Sequence, residues 1–78
     1  MKKYAVVIQR GATTYGAYVP DLPGCAAVGE SRAQVEISIA EAISRHIESL
    51  VEHGDPVPEP SSEIEYIAPA ITRGGDHP

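Results

Sequence analysis

Residues 31–54 read SRAQVEISIAEAISRHIESLVEHG, and their periodicity decides the fold. At about 100° per residue, Val35, Ile39, Ala40, Ala42, Ile43, Ile47, Leu50 and Val51 fall on roughly half the circumference of a helix. Glu41, Ser44, Arg45, Glu48 and Glu52 occupy the opposite side. Ser31 is a good N-cap, and Gln34 three residues on completes a capping-box spacing. Gly54 supplies the stop, and Pro56 enforces it two residues later. The stretch predicts one amphipathic helix over Ser31–His53, with one face to bury.

Upstream the period changes from 3.6 to about 2. Lys3 to Gln9 alternates as a strand, with Tyr4, Val6 and Ile8 on one face and Ala5, Val7 and Gln9 on the other. Because the second face is also partly apolar, this strand is expected in the middle of a sheet. Arg10 to Thr14 has the Gly and small polar residues of a hairpin loop. Tyr15 to Val19 is the second strand, ended by Pro20. Pro20-Asp21-Leu22-Pro23-Gly24 forms a turn, since two prolines fix φ and Gly24 permits φ > 0. Cys25 to Val28 is a short third strand broken by Gly29.

Downstream of the helix, Pro56, Pro58 and Pro60 make a stiff extended connector. Glu63-Ile64-Glu65-Tyr66-Ile67 alternates and reads as a last strand. Residues 71–78 read as a mobile tail with little to bury. The expected fold is one α+β domain over residues 1–70, in the order β-β-β-α-β. A mainly antiparallel sheet is covered on one face by the single long helix.

Such a sheet has an uncovered face, and Ala5, Val7 and either face of Tyr15–Val19 are too apolar for comfortable exposure. That implies an oligomer or a protein partner, through this face or an edge strand. Size argues the same way. A core in a chain of 78 residues rarely supplies more than about 3–5 kcal/mol, and the single Cys25 rules out an internal disulfide. With 11 acidic and 6 basic side chains, the net charge is −5. This balance opposes binding to a phosphate backbone and suits a basic protein partner. The apolar run after Lys2-Lys3 stops at Gln9-Arg10, too short for an export signal or a membrane span. The cytoplasm is the expected compartment.

The residues able to carry chemistry do not assemble into a catalytic set. His46 lies in the apolar arc with no second catalytic group at a matching position, so a ring at the core's edge is its reading. His53, seven residues on, lacks the i,i+4 spacing of a zinc pair and stands in the last turn, where a cation suits the helix dipole. His77, in the tail, has no case as a functional residue. Glu41, Glu48 and Glu52 read as a solvated face paired with Arg45, and Glu36 as a carboxylate near the helix start. Cys25 has no base or cation beside it in sequence and reads as buried. Gly24 and Gly29 lack the spacing of a phosphate loop. No catalytic residue, metal or cofactor is expected.

Tyr15-Gly16-Ala17-Tyr18-Val19-Pro20-Asp21-Leu22-Pro23-Gly24-Cys25 resembles the strand-turn-strand signature of the HicB-like antitoxins. Gly29-Glu30-Ser31, Glu41-Ala42-Ile43 and Ile47-Glu48-Ser49-Leu50 resemble their helix. Gly54-Asp55-Pro56-Val57-Pro58-Glu59-Pro60 is similar to their helix exit. The resemblance spans roughly residues 3–67. It implies a partial RNase H-like fold and a type II antitoxin that occludes HicA, a small basic RNA-cleaving toxin. Many members add a helix-turn-helix or ribbon-helix-helix module that binds operator DNA. Neither fits within this chain, so no direct nucleic-acid binding by it alone is expected. The expected partners are a HicA-like toxin and further copies, as a homodimer or homotetramer. Tyr15, Tyr18, Asp21 and Leu22 are the expected recognition strip, although Asp21 equally suits a turn cap. The rival reading is an orphan homo-oligomeric module without a toxin. A metal-dependent enzyme using Asp21, His46 or the glutamates is the third.

Overall fold

The computed structural model describes residues 2–70. Three short strands, β1 (Val7–Arg10), β2 (Tyr15–Tyr18) and β3 (Ala26–Gly29), precede one long helix, α1 (Arg32–Glu52). The strands form an antiparallel sheet in the order β1-β2-β3, and α1 lies over β3 and β2. The fold is α+β with one helix on one sheet face, as the periodicities predict.

The turns set this order. The Gly11 amide donates to the Thr14 carbonyl at 2.8 Å and closes the first hairpin. The second turn is built on Val19, Leu22 and Cys25. The Val19 amide donates to Cys25 O (3.1 Å), Leu22 to Val19 O (3.1 Å) and Cys25 to Leu22 O (3.0 Å). Gly24 sits at φ 85°, a conformation other residues adopt only with strain. Two consecutive hairpins put the second strand in the centre. The first strand is therefore at an edge, contrary to the expectation from its two-faced apolarity.

Both ends of α1 are closed by the residues that predict them. Ser31 Oγ accepts from the Gln34 amide at 3.1 Å. Gln34 Oε1 accepts in return from the Glu30 amide at 2.6 Å, one residue before the amide that a capping box uses. At the other end the Gly54 and Asp55 amides donate to Val51 O (3.1 Å) and Leu50 O (2.9 Å). With Gly54 at φ 72° this is a Schellman motif.

The core is small: Ala17, Val19, Leu22, Cys25, Val35 and Ile39 are buried, with Tyr4, Val6, Ile8, Tyr15, Ala27, Ala42 and Ile43 packed around them. Tyr4, Val6 and Ile8 thus share the helix-side face, as their alternation predicts. Gly29 allows the close approach of α1, since a Cβ there would lie 2.7 Å from the Val35 nitrogen. A helix of 21 residues is about 31 Å long, whereas four-residue strands span about 13 Å. The helix therefore overhangs the sheet, and Ala40 and Val51 of the predicted apolar arc are exposed.

The predicted last strand is not formed. Among the described residues Glu63–Ile67 joins no ladder, and Ile64, Tyr66 and Ile67 are exposed by 48, 94 and 79%. The cause lies just upstream. Ser61 and Ser62 are tied to Asp21 beside the β2–β3 turn, and the arm leaves the domain from there. The expected tail, 71–78, lies outside the described residues.

Candidate protein-binding surface

Strand register builds the surface opposite the helix. Val7 pairs with Tyr18 and Tyr18 with Ala26, while Gln9 pairs with Gly16 and Gly16 with Val28. Ala17 and Val19 point into the core, so by the twofold alternation of strands these pairs face away from α1. Val28 and Tyr18 are 69% and 44% exposed. A Cβ at Gly16 would meet nothing within 4 Å, so the residue leaves a dent flanked by Tyr18, Val28 and Gln9. The result is an apolar patch with a projecting aromatic ring and no charged side chain among the six positions.

The predicted strip does not form one surface. Tyr18 is on the open face, but Tyr15 is half-buried on the helix side against the core. Leu22 has no exposed surface at all and cannot be an exposed contact residue. The Leu22–Val19 and Cys25–Leu22 amide bonds turn its side chain inward.

Asp21 does more than cap its own turn. One carboxylate oxygen accepts the Ser61 and Ser62 amides, both at 2.9 Å. The other accepts the Ser61 and Ser62 hydroxyls at 3.2 and 2.7 Å. The bonds from the Ser62 amide and hydroxyl, then those from Ser61, lower its pKa to about 2. Asp21 thereby fastens the connector to the β2–β3 turn across 40 residues of chain. The one signal of this in the sequence is the Ser61-Ser62 pair ending a proline-rich run, and nothing local ties that pair to Asp21, 40 residues away.

The other titratable groups stay apart. Burial raises the pKa of the Cys25 thiol, partly opposed by the Arg45 charge, and the thiol is buried and unpaired. His46 is half-buried on α1. The His53 ring Nδ1 lies 2.7 Å from the Ser49 carbonyl oxygen, a helix-end bond. Glu41, Glu48 and Glu52 are exposed. The expected Arg45 pairs are replaced, among the described residues, by Arg32–Glu36 at 3.2 Å and Lys2–Glu59 at 2.6 Å. Arg32 precedes Glu36 by one turn, and both side chains are exposed. Among the described residues no three His, Cys, Asp or Glu are grouped to hold a metal, and no helix is long and apolar enough to cross a membrane. His77 lies outside them.

A cleft of about 420 Å³ opens between the segment preceding β1 and the second half of α1, lined by Lys2, Tyr4, Ile43, Ser44, Ile47 and Val57. The connector closes one wall, with Tyr4 Oη donating to the Pro58 carbonyl at 2.6 Å.

The same architecture recurs in known proteins. One curated relative is an uncharacterized 14.9 kDa protein of the rep-hol intergenic region in Haemophilus phage HP1, 33% identical over 64 residues. The match covers 82% of this chain, which spans about half (48%) of that relative's length. Another is UPF0150 protein Ta0767 from Thermoplasma acidophilum, 39% identical over 62 residues, covering 78% of this chain and 90% of the relative. A chain in the solved HicA3 and HicB3 toxin-antitoxin complex superposes with a TM-score of 0.67 at 32% identity, covering 77% of this chain and 70% of that one. The family model described as HicB-like antitoxin of bacterial toxin-antitoxin system matches residues 4–72. The chain therefore belongs to the HicB-like antitoxin family.

Proposed function

We propose that this protein neutralises a small, basic, RNA-cleaving toxin of the HicA type by covering its catalytic surface, and that it performs no chemistry itself. The observation that carries the reading is the 32% identical match to a chain of a HicA3 and HicB3 complex. The open sheet face supports it physically. Tyr18 and Val28 offer exposed aromatic and apolar anchors on a strand scaffold, the composition found at the centre of protein interfaces. The net charge of −5 would attract a cationic partner to the molecule and raise the association rate at low salt. The scattered histidines and glutamates and the protonated Cys25 thiol favour occlusion over catalysis.

The test is inhibition of RNA cleavage by a purified HicA-type toxin, with a Tyr18→Glu, Val28→Glu variant beside the wild type. Both side chains are exposed, so the variant keeps its fold. It is expected to bind the toxin at least about 30-fold more weakly, the loss of one interface hot spot, and to leave cleavage uninhibited. Full inhibition by the variant would move the contact off this face. Absence of binding by the wild type would favour the orphan-module reading, for which the exposed arm is the specific observation.

A further inference from the structure

The geometry points to the outward side of α1 as a docking seam for a basic amphipathic helix of a partner protein. Ala33, Ile37, Ala40, Ser44, Ile47 and Val51 recur at alternating steps of four and three residues. That is the a/d spacing of a coiled coil, sustained from the first turn of the helix to the last. Ile37 and Val51 are each 63% exposed, and Ala33, Ala40 and Ser44 are exposed with them. Of the six, only Ile47 is part-buried, where the seam borders the cleft. The core uses another side of α1, since Val35 and Ile39 are buried and Ala42 and Ile43 pack against that cluster. At about 100° per residue, the two stripes are centred roughly 130° apart. The broad apolar arc of the helix is therefore two narrower stripes, and the fold covers one of them. The open one is about 27 Å long, and its small residues let a second helix backbone come close to α1.

Charge decides the occupant. One flank of the seam carries Glu41 and Glu48, at the positions where coiled coils place interhelical ion pairs. Both are exposed, and neither has an ion-pair partner among the described residues. Arg45, between them in sequence, stands further round the helix and pairs with neither there. On the other flank Glu36 is already held by Arg32 at 3.2 Å. Lys or Arg side chains beside the apolar stripe of a partner helix would complete the open flank. A second copy is a poor occupant in either direction. Antiparallel pairing would bring the Glu41 and Glu48 flanks of both copies together, and parallel pairing would set Glu41 beside Glu36. An anionic membrane is repelled by the same carboxylates. The seam faces away from the sheet, so its partner is additional to the contact proposed for Tyr18 and Val28.

The experiment is fluorescence anisotropy of a labelled three-heptad helical peptide, with Leu at a and d and Lys at e and g, titrated with the full chain. A twin peptide carries Glu in place of every Lys. An Ile37→Asn, Val51→Asn variant keeps the net charge and alters only exposed side chains, so its circular dichroism spectrum is expected to be unchanged. The wild type and a Val28→Asn control are expected to bind the Lys peptide alike and to leave the Glu peptide free. The double variant is expected to bind the Lys peptide at least about tenfold more weakly. A Glu41→Lys, Glu48→Lys variant is expected to reverse the preference between the peptides. Equal binding of the Lys peptide by the wild type and the Ile37→Asn, Val51→Asn variant would overturn the inference, as would no binding at all. In sedimentation equilibrium, a wild-type dimer lost only in that variant would give the seam to a second copy and overturn the basic helix as its occupant.

Discussion

At the scale of single residues, Asp21 shows how much a side chain's role depends on what the chain brings to it. The Pro-Asp-Leu-Pro-Gly stretch was legible as a turn because its prolines and glycine act locally. The partners of Asp21 were not, since Ser61 and Ser62 arrive from 40 residues away and nothing local encodes that meeting. Leu22 was misplaced for a related reason: in a turn, the backbone bonds of Val19 and Cys25 decide which way a side chain points. The four bonds to Asp21 favour its ionised form and hold its pKa at about 2. Their contribution is therefore complete above the ordinary carboxylate value of about 3.9 and lost as pH falls toward 2. A titration followed by NMR of the Asp21 carboxyl is expected to show its midpoint near 2; one near 4 would mean the staple is absent in solution. Asp21→Ala is expected to bring the Ser61 and Ser62 amides to the exchange rates of unstructured chain while those of β2 stay protected.

At the scale of elements, the helix was fully legible because its signals repeat: many apolar positions, a cap at each end, a glycine and a proline beyond. The strands were legible in number and approximate place, since each is bounded by a turn of recognisable chemistry. Their order was less so. Two-faced apolarity marks a strand buried on both sides, but here the second side of β1 belongs to the open face of the sheet, and β1 lies at its edge. Glu63–Ile67 has a true alternation, but alternation alone does not make a strand: its root is held at Asp21 by Ser61 and Ser62, and the segment joins no ladder among the described residues. The joint between elements depends on Gly29, where a methyl group would meet the backbone of α1 at 2.7 Å. Gly29→Ala is expected to destabilise the fold by about 1–3 kcal/mol, measured by urea denaturation. Unchanged stability would show that α1 can retreat from β3 without cost.

At the scale of the whole molecule, the decisive quantity is how little is buried. A core of six side chains, all from β2, its following turn and the first half of α1, leaves the open sheet face, the cleft and the arm unsatisfied together. The composition already pointed to outside support, and the structure locates three surfaces able to receive it. If copies of the chain associate through these surfaces, stability follows mass action. The thermal midpoint is expected to rise by about 3–6 °C for each tenfold increase in protein concentration. A midpoint that does not move would describe a chain that is folded and alone.

Cys25 adds a consequence of a different kind. It is the chain's single thiol, it is buried with Leu22, Val35 and Ile39, and burial disfavours the thiolate that alkylating reagents attack. Labelling must therefore wait for the molecule to open. Each chain keeps its own clock, and the slow gain of a single adduct by mass spectrometry records how often the interior is visited by solvent, with no probe added.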